Sequence, residues 1–153
     1  LSTDIIVGFP HETDEDFELT CDLLKTIRFD SIFAFAYSNR SSAPASRFSG
    51  QVDEVLKKER LNRLLAIQET YTLEKNQALA GTDQMVLVEG RSSRKRDGFD
   101  PADPDMDQYF GRTSCNKIVH FPFARAHTGD LIAVAITHAY SHSLWGHALE
   151  TQP

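Results

Sequence analysis

The hydrophobic pattern of the first part of the chain predicts a strand, a helix and a second strand. Residues 4–9 (DIIVGF) form a continuous apolar run with β-branched side chains, typical of a parallel strand buried on both faces. Apolar residues then recur at helical spacing from Phe17 to Ile27, behind a candidate N-cap at Thr13. A second apolar run, 31–37 (SIFAFAY), completes a β-α-β unit with parallel strands.

Two segments of different composition follow this unit. Residues 38–50 are rich in Ser, Ala, Pro and Gly, which predicts a loop. Residues 52–80 carry leucines at helical spacing and predict one long helix that stops at Gly81. Such a helix would be about 40 Å long, so it could join two domains or wrap around one.

The remaining residues alternate between short β-type runs and turns. Five such runs predict a small all-β antiparallel barrel of the OB-like type. The predicted strands are 84–90, 109–113, 116–121, 130–140 and 143–149. A long polar loop at 91–108 separates the first two runs and carries four basic residues followed by five aspartates.

Composition narrows the function classes. With 41% hydrophobic and 25% charged residues, the 153-residue chain has the composition of an ordinary globular protein. No apolar run approaches the roughly 18–20 residues that a membrane-spanning helix needs. The net charge is −6, with 9 Lys/Arg against 13 Asp/Glu in residues 1–79 and 7 against 9 in residues 80–153. Any contact with nucleic acid must therefore come from a local basic patch.

Cysteine and histidine usage predicts no metal site. Cys21 and Cys115 lie far apart in the sequence, without metal-ligand spacing, and we expect both to be reduced thiols that pack as small hydrophobic residues. The six histidines form no metal-binding constellation either. The chain starts without Met or a basic leader, so we expect a fragment of a longer protein.

Polar residues follow each of the two predicted parallel strands. In parallel α/β folds, ligands bind beyond the carboxyl ends of the strands, where a glycine permits close approach, a helix N-terminus favours anions and an arginine can clamp a carboxylate or phosphate. The candidate ligand-binding residues are Gly8, Pro10, Glu12, Thr13 and Arg40. The alternative is a capped strand-to-helix turn with a solvated loop arginine, and we expect His11 to be an exposed turn residue.

Basic residues cluster in and near the predicted barrel. OB-like barrels bind RNA through loops and one exposed face, and basic side chains supply phosphate contacts. The candidate RNA-binding residues are Arg91, Arg94, Lys95, Arg96, Arg112, Asn116 and Lys117. The alternative is a solvated loop whose charge is neutralised by the aspartates that follow it.

Three stretches, in order, resemble the radical S-adenosylmethionine methylthiotransferases. They read TDIIVGFPHETDEDF, FDSIFAFAYSNR and LVEG…GRTSCNKIVHF…GDLIAVAIT…SLWG. The resemblance covers nearly the whole chain, and the GRTSCNKIVHF block favours the branch that modifies tRNA over the branch that modifies a ribosomal protein. It implies an α/β fold in residues 1–50, the end of a partial radical-SAM TIM-type barrel. A linking helix (51–80) and an RNA-binding TRAM β-barrel (81–153) would follow.

The resemblance also implies a function. The chain would be the carboxy-terminal part of an enzyme that adds a methylthio group to C2 of an N6-prenylated adenosine next to the tRNA anticodon. The enzyme would use S-adenosylmethionine and two [4Fe-4S] clusters, whose cysteine ligands we expect upstream of Leu1, together with a sulfur donor. Its partner would be the anticodon stem-loop, and we expect a cytoplasmic monomer with no membrane contact. In this chain alone we expect neither a catalytic residue nor activity.

The implied roles carry over only to matching positions. The edge near S-adenosylmethionine would be shaped by Gly8, Pro10, Glu12 and Thr13. Arg40 would orient substrate or cofactor, which makes these five the predicted cofactor-binding residues. The basic residues would contact tRNA phosphates. The chain departs from the family at His11, where glycine is usual, and at residues 40–45, where RSSAPA replaces an Arg-Pro-Gly-Thr-Pro-Ala loop. The Asp-rich loop at 97–107 is also longer than the family pattern predicts.

Three alternatives stay open at this point. The chain could be a non-catalytic RNA-binding module whose first half is a docking platform, or part of a methylthiotransferase that acts on a different modified adenosine. It could also be a phosphate-binding α/β domain fused to a barrel, in which case it would bind nucleotides without iron.

Overall fold

The computed structural model describes residues 1–92 and 107–149. The chain divides into two compact units, Leu1–Thr72 and Leu73–Pro153. The helices and strands are β1 (Ser2–Val7), α1 (Asp14–Ile27), β2 (Ser31–Ala36), a short 3₁₀ helix (Pro44–Arg47), α2 (Glu54–Gln77), β3 (Asp83–Arg91), β4 (Asp107–Thr113), β5 (Ile118–Phe123), β6 (Leu131–Ala139) and β7 (Leu144–Ala148). The predicted domain boundaries after residues 50 and 80 stay a prediction. Neither α-helix in the described ranges is long and apolar enough to cross a membrane.

In the first unit, β1 and β2 are parallel, in a register that pairs Ser2 with Ser31 and Val7 with Ala36. Alternate residues of both strands point to opposite faces of the sheet. One face packs against the helices, and the core is formed by buried residues from the strands, the helices and the α1–β2 connection: Val7, Phe17, Cys21, Leu24, Phe29 and Leu64.

The prediction that residues 1–50 form the end of a TIM-type barrel is wrong. The described sheet of the first unit has two strands, β1 and β2, and no barrel is closed there. The continuous apolar run in β1 indicated a strand covered on both faces, but Ile6, Phe33 and Phe35 are more than half exposed on the outer face. An apolar run favours strand formation without deciding whether the same chain covers both faces.

In the second unit, a small closed barrel is formed by five strands in the order β3-β4-β5-β7-β6. Such a barrel is compatible with the TRAM domain that the resemblance implies. The inward side chains form a core that includes the stacked rings of Tyr109 and Phe121, 6.3 Å apart. The predicted all-antiparallel arrangement is wrong at one pair, because β5 and β7 are parallel. A closed ring with an odd number of strands cannot alternate in direction throughout, so at least one neighbouring pair must be parallel.

Candidate functional site

The turn between β1 and α1 brings four of the predicted cofactor-binding residues together. Gly8 and Pro10 are buried, and Thr13 is the N-cap of α1. The Thr13 hydroxyl accepts from the Asp16 N–H at 3.1 Å and donates to Asp16 Oδ2 at 2.7 Å. Asp16 Oδ2 also accepts from the Thr13 N–H at 3.0 Å, which completes a capping box. The Thr13 side chain is therefore engaged in starting the helix.

The carboxylate of Glu12 is fixed from two sides. It accepts a hydrogen bond from the Gly8 N–H and another from Arg60 Nη1 at 3.0 Å. Arg60, on α2, also donates to the Glu12 carbonyl at 3.1 Å and to Asp14 Oδ1 at 2.6 Å. Only 4% of the Arg60 side chain and 11% of the Glu12 side chain are exposed. The hydrogen bonds and ion pairs of Arg60 therefore hold α2 against the turn.

The electrostatics of the turn keep Arg60 charged. Burial lowers the pKa of the Arg60 guanidinium, but the hydrogen bonds and charges of Asp14 and Glu12 outweigh it, so the pKa is raised above its ordinary value. The guanidinium carbon also lies 5.5 Å from the Phe17 ring centroid. The buried Arg60 guanidinium therefore has both carboxylate partners and an aromatic ring beside it. These contacts offset the cost of removing its charge from water.

A second buried cation covers the glycine of the turn. The Lys57 side chain is 2% exposed, and a methyl group added at Gly8 would overlap it. Lys57 Nζ donates to Glu54 Oε1 at 2.7 Å and lies 5.3 Å from the centroid of the Tyr37 ring. The Tyr37 hydroxyl is buried, and no residue in the described ranges forms a hydrogen bond with it. Gly8 and Tyr37 follow β1 and β2, so this is the carboxyl edge of the sheet.

Lys57 and Arg60 are not among the site residues predicted from the sequence. A signal was present, because Lys57 and Arg60 precede Leu61 and Leu64 by four residues each, and residues four apart share a helix face. Leu64 belongs to the core of the first unit and Leu61 packs against that core. A cation on such an apolar face is an indication of burial and pairing.

His11 connects the turn to the loop that precedes α2. Its φ of 71° is in the left-handed region. Its N–H donates to the Gly50 carbonyl at 2.8 Å, and its Nε2 lies 3.5 Å from Ser49 Oγ. His11 is exposed. Glycine adopts a left-handed backbone without steric strain, so His11 occupies a position whose conformation favours glycine.

Arg40, the fifth predicted cofactor-binding residue, is exposed in the loop after β2. Its carbonyl accepts from the Ala43 N–H at 2.8 Å. Because Glu12 Oε2 and the Thr13 hydroxyl already have partners, a ligand at this edge would meet Arg40 and main-chain atoms more readily than those two atoms. The cofactor-binding assignment stays a prediction.

Iron–sulfur ligands are not assembled in the described part of the chain. Cys21 is buried in the first unit, and burial raises the pKa of its thiol above the ordinary value. Cys115 is exposed in the second unit. Within residues 1–92 and 107–149, no group of three or more His, Cys, Asp or Glu side chains could hold a metal ion.

The predicted RNA-binding residues fall into two groups on the barrel. Arg112 Nε donates to Glu89 Oε1 at 3.0 Å, and Arg112 Nη1 donates to Asn116 Oδ1 at 3.1 Å. The Lys117 N–H donates to Thr113 Oγ1 at 3.1 Å, so Arg112, Asn116 and Lys117 come together at the β4–β5 turn. We call these three residues the hairpin surface.

The second group lies near the start of β4. Arg91 pairs with Tyr109 in the strand register, and its guanidinium contacts Asp107 Oδ2 at 2.9 Å. Arg91 is therefore separated along the strand from the hairpin surface. The predicted residues Arg94, Lys95 and Arg96, and most of the Asp-rich loop, lie outside the described residues.

The outer face of β4 and β5 carries an aromatic pair that was not predicted from the sequence either. Phe110 and His120 are directly opposite in the register, with ring centroids 6.2 Å apart and planes inclined by 35°. The register of β4 against β5 is what brings the two rings together. The face therefore combines an aromatic pair with the arginine of the hairpin surface.

Comparison with curated proteins finds similar chains that share one name, tRNA-2-methylthio-N(6)-dimethylallyladenosine synthase. The protein of Desulfosudis oleivorans is 46% identical over 97% of this chain and 33% of its own length. That of Syntrophus aciditrophicus is 47% identical over 97% of this chain and 30% of its own length. That of Natranaerobius thermophilus is 41% identical over 98% and 31%, respectively.

The chain thus spans about a third of the length of the curated relatives it matches. No protein-family model matches it. The similarity extends over nearly all of the chain, and it confirms the resemblance inferred from the three sequence stretches.

Proposed function

We propose, on the premise of this similarity, that the chain is the carboxy-terminal, tRNA-contacting part of a tRNA methylthiotransferase. The observation that carries the proposal is identity of 41–47% to proteins named tRNA-2-methylthio-N(6)-dimethylallyladenosine synthase, over 97% or more of this chain. The closed barrel and its hairpin surface support a role in RNA contact, because small barrels of this kind bind RNA through loops and one exposed face.

We propose that the complete protein adds a methylthio group to C2 of an N6-prenylated adenosine next to the anticodon. S-adenosylmethionine and two [4Fe-4S] clusters would supply the radical and sulfur chemistry, with cluster ligands outside this chain and a sulfur donor. The residues around Gly8 and Arg40 would shape and orient the cofactor-facing edge after β1 and β2. The 153-residue chain would have no activity of its own. We also expect a cytoplasmic monomer.

The hairpin surface is suited to phosphate binding although its arginine has partners. Glu89 and Asn116 hold the Arg112 guanidinium, whose side chain is still 38% exposed. A fixed and exposed guanidinium loses less conformational entropy when it binds a phosphate than a freely rotating one does. The nearby Glu89 carboxylate reduces the positive potential, so contributions from more than one basic residue are required for measurable affinity.

Salt dependence tests the proposal directly. Binding of an RNA anticodon stem-loop to the chain should weaken as salt rises, with a negative slope of log affinity against log salt. Each phosphate contact contributes about −0.9 on duplex and about −0.7 on single-stranded RNA. The substitution Arg112→Gln should weaken binding and reduce the slope by about one such contribution.

The matched control is Arg125→Gln. Arg125 is exposed in the β5–β6 connection, away from the β4–β5 turn, so its removal should change the slope less than removal of Arg112. Absence of binding, or a slope near zero, would reject the role in tRNA contact. Equal effects of the two substitutions would reject the hairpin surface as its location.

A further inference from the structure

The aromatic pair on β4 and β5 points away from the barrel core. Its sequence neighbours Tyr109 and Phe121 are buried and stack on each other inside the barrel. Because successive side chains of a strand alternate between faces, Phe110 and His120 lie on the outer face. Both are partly exposed there. The core therefore does not account for this pair.

A polar network holds the imidazole of the pair. His120 Nδ1 lies 3.1 Å from Ser92 Oγ, and Gln108 Nε2 donates to the same hydroxyl at 3.2 Å. Gln108 is only 6% exposed, and its Oε1 has no hydrogen-bond partner in the described ranges. A side chain held by a buried neighbour keeps its ring in one orientation, which reduces the entropy lost when a ligand stacks on it.

Within the described ranges, a glycine and a cation lie beside Phe110. Gly90 of β3 pairs with Phe110, and a methyl group added there would lie 3.5 Å from Phe110 Cε1. Glycine thus leaves this flank of the ring without a side chain. Arg112 follows Phe110 by two residues on the same face, about 7 Å further along the strand. An aromatic surface beside a fixed guanidinium has the chemistry that recognises a base and its phosphate.

We propose that the Phe110–His120 pair is a stacking platform for one unpaired RNA base, with Arg112 contacting the adjacent phosphate. The choice of RNA as the ligand rests on the proposed function. Stacking uses the π-face that every base has, so the platform should accept any unpaired base with similar affinity. The hairpin surface would supply the part of the RNA affinity that weakens with salt. The platform would supply the part that is lost when the base is removed from the RNA.

The test compares an RNA stem-loop with the same stem-loop whose loop bases are replaced by abasic sites. The intact chain should bind the abasic RNA about tenfold more weakly. The substitution Phe110→Ala should weaken binding of the normal RNA by a similar factor and leave binding of the abasic RNA unchanged. With 2-aminopurine in the loop, the intact chain should quench its fluorescence on binding, and the Phe110→Ala variant should not.

Phe110→Leu is a control for misfolding of the alanine variant, because it keeps an apolar side chain of similar size and removes only the aromatic ring. It should lose the preference for the normal loop in the same way. Leu131→Ala is the matched control, since Leu131 is the first residue of β6 and is 66% exposed. This variant should keep the preference in full.

The two proposals fail in different ways. If the intact chain binds normal and abasic RNA equally, with a clear salt slope, the stacking platform is wrong and the role in tRNA contact stands. If folded Phe110→Leu protein keeps the full preference for the normal loop, the platform lies elsewhere and this assignment is overturned. If the intact chain binds neither RNA, both proposals are wrong.

Discussion

The turn after β1 and the outer face of β4 and β5 use arginine in opposite ways. Arg60 is 4% exposed and donates hydrogen bonds to Glu12 and Asp14 within the first unit. Arg112 is 38% exposed and donates to Glu89, which is itself 36% exposed. Both guanidinium groups are paired, but only Arg112 presents its charge to solvent.

This difference separates the structural role of Arg60 from the RNA-binding role that we propose for Arg112. A buried cation must keep its partners, because an unpaired charge away from water is strongly unfavourable. An exposed pair contributes little to stability, so it can exchange its partner for a phosphate at small cost. Pairing alone therefore does not show that an arginine is unavailable to a ligand, and burial is the property that distinguishes these two.

The largest effect is expected for Arg60→Ala. The substitution leaves the Glu12 carboxylate, 11% exposed, without its cation. Removing one partner of a buried pair typically lowers the free energy of unfolding by about 3–5 kcal/mol. Urea unfolding of the chain, followed by far-ultraviolet circular dichroism, measures this loss.

Arg63→Ala is the matched control for Arg60→Ala. Arg63 lies on the same helix, its guanidinium carbon is also 5.5 Å from the Phe17 ring, and it pairs with Glu18 of α1. The Arg63 and Glu18 side chains are half exposed, at 50% and 48%, so we expect a much smaller loss than for Arg60→Ala. If the two substitutions lowered the free energy of unfolding by similar amounts, burial would not be what makes an arginine structurally important.

Local sequence signals predicted the individual helices and strands, although not the fold class of the first unit. The helix start at Thr13 was predictable because a cap and the acidic first turn lie within a few residues of each other. The barrel strands were predictable because each apolar run is bounded by turn residues. For example, the predicted strand 143–149 contains the observed Leu144–Ala148. These features depend on neighbours in the sequence, where spacing is informative.

The features that depend on distant residues were not predictable. Arg60 is 48 residues from Glu12, and no spacing rule connects them. The meeting of Phe110 and His120 requires the register of β4 against β5, which strand periodicity does not supply. The parallel pairing of β5 and β7 follows from closing the ring, not from a strand's own sequence. The same reasoning explains the wrong TIM-barrel prediction, since an apolar strand does not identify what covers it.

Alanine substitutions at two glycines compare the two units again, with a smaller expected effect on the free energy of unfolding. Gly8 in the first unit and Gly81 in the second have φ of 73° and 82°, so alanine is strained at both. At Gly8 a methyl group would also overlap the buried Lys57 side chain, whereas at Gly81 it would meet no atom within 4 Å. We expect Gly81→Ala to lower the free energy of unfolding by about 1 kcal/mol and Gly8→Ala by about 2–3 kcal/mol.

Urea unfolding of the two glycine variants checks these values. An equal loss would mean that Lys57 moves aside, and that the turn of the first unit is no more tightly packed than the exposed Gly81 turn. A larger loss at Gly8 would show that the covering side chain adds to the backbone strain.

The smallest effect concerns the exposed edge of the same turn. Hydrogen bonds from the Thr13 N–H and hydroxyl lower the pKa of the Asp16 carboxyl below its ordinary value of 3.8. A carboxyl whose pKa is lower in the folded chain than in the unfolded chain stabilises the fold above the unfolded value, and this contribution is lost as the pH falls through the folded value. Asp16→Asn should therefore be less stable than the intact chain at neutral pH, and the difference in urea midpoint should shrink below pH 3.8.

The comparison for Asp16 is Glu15→Gln, since Glu15 lies in the same first turn without a bond to Thr13. Both carboxylates face the positive end of the helix dipole, so the dipole contributes to both variants, and only the bonds to Thr13 distinguish them. A larger pH-dependent difference for Asp16→Asn means that an exposed charge of the first unit still supports the fold through hydrogen bonds. Identical pH profiles for the two variants would mean that the bonds to Thr13 add no stability beyond the helix dipole. The charges that support the fold of the first unit would then be its buried cations, Arg60 and Lys57.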